Sequence, residues 1–134
     1  MGPNEQLRAV ATELVKGCRE GRELENLEKL YSPEAVSAEA YAMPGSETSS
    51  ESFGLEAIKG KHAWWSASFE MLDDGLTPEE RVQGPYYFGE DRFGVRFSMK
   101  TKNRETGAIE EMTELATYHV KDGRIVREEF FYPM

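Results

Sequence analysis

The segment Ile109–Tyr132, IEEMTELATYHVKDGRIVREEFFY, constrains this chain more than any other. Two runs of alternating polar and large apolar residues flank Asp122-Gly123. An Asp-Gly pair between such runs is the strongest short-range hairpin signal, because both turn residues must take positive φ. Met112, Glu114, Ala116, Tyr118 and Val120 fall on one face of the first strand, at the period of two that a strand imposes. Val126, Glu128, Phe130 and Tyr132 are expected to continue that face on the second. A lone hairpin is not stable in water, so a larger sheet with a covered apolar face is required. Carboxylates recurring among the apolar residues of that face predict a sheet that walls a pocket rather than only a dry core.

The rest of the chain supplies the cover. Leu7, Val10, Ala11, Leu14, Val15 and Cys18 recur at helical spacing, with Asn4 as N-cap, Glu5 in the first turn, and Gly17 and Gly21 at the end. A second, shorter helix is expected to bury Leu24, Leu27, Leu30 and Tyr31 and to stop at Ser32-Pro33. Ala35–Tyr41 reads as a short strand, and the Ser-, Gly- and Glu-rich Met43–Phe53 as a loop, either a solvated connector or a lid. Ile58, His62, Trp65 and Phe69 then share one face of a third helix running to about Leu72, broken by Asp73-Asp74-Gly75 and Pro78. Arg81–Tyr87 reads as a strand bent or edged at Gly84-Pro85. Asp91–Thr101 is the clearest strand, with Phe93, Val95, Phe97 and Met99 on one face, and Asn103–Gly107 turns into the hairpin. Helices gathered first and strands last predict an α+β fold, with three N-terminal helices packed on a curved, mostly antiparallel sheet. Such a sheet closed by a helix encloses a cone whose mouth suits a small molecule. No repeat or linker divides residues 1–134, so a single domain is expected.

Composition excludes several classes of function. The formal charge of −9, from 25 acidic and 16 basic residues, argues against binding nucleic acid or an anionic membrane surface. No apolar run approaches the ~20 residues of a membrane span, and no signal region opens the chain, so a cytoplasmic protein is expected. The lone Cys18 permits no intrachain disulfide. Two His without paired spacing give no metal site, and no glycine-rich phosphate cradle sits between a strand and a helix, so no cofactor is inferred.

Three motifs, LEKLYSPEAVSAEA (Leu27–Ala40), GLEAIKGKHAWW (Gly54–Trp65) and VKDGRIVREEFFY (Val120–Tyr132), in this order and spacing, resemble the nuclear transport factor 2-like superfamily in its SnoaL-like polyketide cyclase and ketosteroid isomerase branch. The resemblance implies a cystatin-like cone. It places Glu39 where isomerases of that branch carry a catalytic Asp near the end of the first strand. It places His62 where they carry a pocket-facing aromatic hydroxyl, four residues after an Ile. Their hydrogen-bonding Tyr on the first helix matches Leu14, and their protonated acid falls near Glu114 or Leu115. A general base is thus implied, with its oxyanion partner missing or replaced, a departure from ketosteroid isomerisation itself. The superfamily's use of the outer sheet face implies a homodimer, which the aromatic FFYPM terminus fits.

Glu39, His62 and Glu114 come from separated segments that a cone would bring together. A carboxylate against an apolar wall such as Trp65 has a raised pKa and suits acid or base work. His62 would donate to a developing oxyanion, or relay a proton while Glu39 orients it. The function expected is a cofactor-free isomerase, cyclase or dehydratase of small apolar carbonyl compounds. Glu39 and His62 would be its working pair, with Trp65, Met112, Glu114, Tyr118, Phe130 and either Glu128 or Glu129 lining the site. A hydrophobic-ligand-binding domain without catalysis and a dimeric protein-interaction domain are the alternatives. A Glu39–His62 contact is the geometry that would favour catalysis.

Overall fold

The computed structural model describes residues 3–39 and 50–132. Helices α1 (Pro3–Glu20) and α2 (Glu23–Leu30) lead into β1 (Tyr31–Glu39), β2 (Glu51–Phe53), α3 (Leu55–Ser68) and β3 (Phe69–Leu72). After them come α4 (Pro78–Arg81), β4 (Val82–Phe88), β5 (Arg92–Asn103), β6 (Ile109–Lys121) and β7 (Arg124–Phe131). The fold is α+β, with helices packed against a strongly curled sheet. Among the described residues no helix is long and apolar enough to cross a membrane.

The hairpin forms where the sequence puts it. Asp122 (φ 52°) and Gly123 (φ 76°) both take the left-handed conformation that a two-residue turn of this hand demands. The sheet order is β2-β1-β7-β6-β5-β3, with β4 also on β5, and β1 runs parallel to β7 while its other pairings are antiparallel. One long edge of β5 is filled by β6, and the other is shared by β4 near Arg92–Phe97 and β3 near Lys100–Asn103. Leu7, Val10, Ala11, Leu14 and Val15 of α1 are buried with Leu27 and Leu30 of α2 in a core that also holds Phe93, Val95, Ala116, Tyr118, Val120 and Ile125. Each such aliphatic side chain contributes roughly 1.5–3 kcal/mol by leaving water.

Several expectations are corrected. His119 pairs with Arg127 but Val120 with Ile125, so Val126 is the extra residue of a bulge. Ile125, not Val126, therefore enters the core, and the inner face resumes at Glu128 and Phe130 opposite Tyr118 and Ala116. Leu24 of α2 is exposed, whereas Asn26 is buried and donates from Nδ2 to the Glu13 carbonyl. Its amide fills the space over Gly17, where a Cβ would lie 2.0 Å from Nδ2, so Gly17 is a helix–helix contact and α1 continues past it to Glu20. Tyr31 opens β1 instead of closing α2, and Ser32-Pro33 lie within β1 where its register against β7 shifts. The third helix stops at Ser68, because Phe69–Leu72 pair with the free edge of β5. Thr77 and Glu80 form a capping box that turns the expected break into the short helix α4. Residues 40–49 of the expected strand end and loop lie outside the described residues, and 51–53 form β2.

The turn gives a direct stability test. Gly123→Val, which forces a β-branched residue to positive φ, should cost about 1–2 kcal/mol in urea unfolding. Asp122→Asn, which tolerates that region, should stay within about 0.5 kcal/mol of the parent.

Candidate functional site

Glu39 ends β1, the strand that β7 flanks in parallel with Ser37 opposite Glu128 and Glu39 opposite Phe130. That register stacks two short polar ladders side by side. The Glu39 side chain is 14% exposed, and its carboxylate binds Lys61 Nζ of α3 at 2.6 Å. It also accepts the Tyr132 hydroxyl. Lys61 lies three residues after the buried Ile58 and six after the buried Leu55, so it extends the inward face of α3. Its Nζ donates to Ser37 Oγ at 2.8 Å and stands 5.2 Å from the centre of the Phe130 ring. Ser37, fully buried, accepts from Lys61 and so turns its own proton toward Glu128. Glu128, also buried, accepts a second bond from the Tyr31 hydroxyl at 2.5 Å. A continuous chain thus runs Tyr31, Glu128, Ser37, Lys61, Glu39, Tyr132.

The electrostatics follow from burial. Burial pushes the Glu114 carboxyl up to about 7, the charges of Glu39 and Glu128 push the same way, and Lys61 opposes them. Glu114 has no hydrogen-bond partner among the described residues. Burial also raises Glu128, while the hydroxyls of Tyr31 and Ser37 hold it down in part. Tyr31 and Tyr118 are held neutral by burial and by the Glu128 charge. Burial and the neighbouring Lys61 lower His62, which leaves a neutral imidazole near pH 7. Where β7 ends, a cleft of about 320 Å³ is lined by Arg96, Thr113, Glu114, Leu115, Phe131 and Tyr132.

Of the residues singled out from sequence, Glu39, Glu128 and Phe130 meet through Lys61, and Glu114 joins them through its field. His62 follows Lys61 in α3, but the ammonium that Glu39 binds is Lys61, and no Glu39–His62 contact is present among the described residues. Trp65 packs on Phe69, ring centres 4.3 Å apart, at the end of α3. Met112 takes a long contact from the Thr101 hydroxyl, and Tyr118 stacks on Phe93 within the core. The choice between Glu128 and Glu129 is settled by partners: Glu129 meets His119 at 3.0 Å and Arg127 at 3.5 Å, away from the chain that Glu128 anchors. Leu115 is exposed, which leaves Glu114 as the acid on the inner face. Lys61, Ser37, Tyr31 and Tyr132 were missed. The spacing Leu55, Ile58, Lys61 and the parity of Ser37 with Glu39 are the signals that could have found two of them. No three His, Cys, Asp or Glu among the described residues are grouped so as to hold a metal ion.

The arrangement offers one ion-paired carboxylate and one carboxyl, without a hydrogen-bond partner among the described residues, that is held up to about 7.

Comparison with known proteins fits this geometry. The SnoaL-like domain model matches residues 8–132. A crystal structure from Mesorhizobium loti, described as a SnoaL-like polyketide cyclase, is 32% identical over 98% of this chain and 100% of that one, with a TM-score of 0.75. A cystatin-like protein from Xanthomonas campestris is similar in fold at 13% identity, covering 96% and 91% of the two chains, with a TM-score of 0.71. A structure described as an isomerase from Bacillus subtilis covers 99% and 90% at 18% identity, with a TM-score of 0.63. No curated protein matches the chain. With its helices on a curled sheet, and with this match across residues 8–132, the chain belongs to the SnoaL-like domain family.

Proposed function

We propose that this protein is a cofactor-free acid–base enzyme that isomerises, cyclises or dehydrates small, apolar, carbonyl-containing molecules. The observation that carries the reading is Glu114: a half-buried carboxyl on the wall of the cleft, without a hydrogen-bond partner among the described residues, held up to about 7 by burial and by the charge of the ion-paired Glu39. An acid or base is most effective when its pKa lies near the working pH. In this reading Glu39 removes a proton next to the carbonyl. Protonated Glu114 or the neutral His62 donates to the oxygen as charge develops there. Phe130, beside Lys61, and Met112 supply apolar contact, while Tyr118 stays in the core against Phe93 and Trp65 against Phe69. The likeness, at 32% identity, to a structure described as a SnoaL-like polyketide cyclase supports a substrate of this kind.

Against a panel of enolisable ketones and β-hydroxy ketones, Glu39→Gln should lower kcat by about 10²–10⁴-fold. Turnover unchanged by Glu39→Gln would remove the base from this mechanism.

Glu114 also makes a prediction without substrate. Its folded-state pKa lies above the ordinary value of 4.5, so between about pH 4.5 and 7 the folded chain holds a proton that the unfolded chain has released. Stability therefore falls as pH rises through that window. Glu114→Gln should flatten this slope and stabilise the protein at pH 8 by about 2–3 kcal/mol, read by denaturant titration at pH 5 and pH 8.

We further propose a homodimer through the outer sheet face, supported by two exposed apolar side chains there. Leu115 and Phe131 are register partners on β6 and β7, exposed by 41% and 43% respectively. Large apolar side chains placed together on a sheet face mark a contact surface. The double substitution Leu115→Glu, Phe131→Glu should convert a dimer to monomer in light scattering. A monomeric parent at all concentrations tested would refute the assignment.

A further inference from the structure

Lys61 has three direct partners among the described residues. Its ammonium meets the Glu39 carboxylate at 2.6 Å and Ser37 Oγ at 2.8 Å, and it lies over the Phe130 ring, a favourable place for a cation. Glu114 is reached by the Lys61 charge but is not among these direct partners. Among the described residues, the charged and titratable groups around Glu114 are Glu39 from β1, Glu128 from β7, Lys61 from α3 and Tyr118 from its own strand, with Arg96 of β5 and Tyr132 on the wall of the same cleft. Lys61 is the cation that acts against both Glu114 and Glu128.

We propose that Lys61 is the positioning residue of this site: a single ammonium that holds Glu39 as the charged partner and leaves Glu114 as the carboxyl carrying the movable proton. The proposal rests on the acid–base reading above and divides the labour between its two carboxyls. Lys61 touches no substrate in this role. It acts through Glu39, which it bonds directly, and through Ser37, which passes the contact on to Glu128. Of two carboxyls that repel each other across one site, one takes the ammonium in a direct ion pair and the other is left to feel the repulsion. The geometry gives that pair to Glu39.

The test uses the unliganded protein with glutamate carboxyls labelled with carbon-13, and follows Glu114 by NMR as pH is changed. Its signal is assigned by its loss in Glu114→Gln. In the parent, Glu114 should titrate at about 7. Lys61→Met should move that midpoint up by about one pH unit or more. Lys61→Arg, which keeps the charge, should bring it back to within about half a unit of the parent. Glu39→Gln should move it down, because it removes a repelling charge and frees Lys61 to face Glu114. A Lys61 that serves packing alone would lower the melting temperature of Lys61→Met and leave the Glu114 midpoint in place, and that result overturns the proposal. Should Lys61→Met not fold, Glu39→Gln decides: a midpoint unchanged or raised overturns it equally. Because no turnover is measured, failure here is distinct from failure to find a substrate.

Discussion

Taking Glu128 out of water is the cost around which the interior is arranged. An isolated carboxylate in an apolar medium is expensive by several kcal/mol, and it persists only when bonded and balanced. Tyr31 and Ser37 provide the bonds, and Lys61 provides the balancing charge through Ser37. Those requirements fix the start of β1, its middle, and the inward turn of α3. Glu114, on the neighbouring strand, is half-buried and has no such hydroxyl donors, so its proton is held to near neutrality with Lys61 opposing only in part. Two glutamates on adjoining strands thus sit in different surroundings: one has hydroxyl donors and the other does not.

How much of this was legible follows from what each signal measures. The turn at Asp122-Gly123, the alternation through Phe93 and Val95, and the apolar stripe of α1 are local, and local patterns survive into the structure. Glu39 became a candidate only through family resemblance, and the structure seats it in a polar network without deciding its role. The errors are non-local. Nothing in IVREE announces that Val126 is surplus, since a bulge is set by two strands at once. Phe69 continues the helical period, yet the unfilled edge of β5 claims it for a strand. Leu24 and Asn26 exchange their expected places because the neighbour at that spot is Gly17, whose missing side chain leaves a polar-sized gap. Lys61 escaped because a lysine reads as surface, although its long stem lets the charge reach well inside.

The two faces of β6 and β7 divide their work. Inward, Glu114, Tyr118, Glu128 and Phe130 meet the core and the polar chain. On alternate residues, His119, Arg127 and Glu129 form their own ion pairs, and Leu115 and Phe131 present apolar area. A one-residue slip between these strands would exchange the sets and bury charges without partners, so the bulge at Val126 also protects the register.

The parallel pairing of β1 with β7 carries a consequence for biosynthesis. Tyr31 and Glu128 are separated by 97 positions, and the network needs both. On the ribosome, α1, α2 and β1 emerge long before the strand that completes them, with Ser37 and Glu39 lacking their mates. Contacts this distant in sequence pay their loop-closure entropy late and form slowly. The newborn chain therefore passes most of its synthesis with an unfilled strand edge at β1, a period in which a chaperone able to shield that edge has its best opportunity to act.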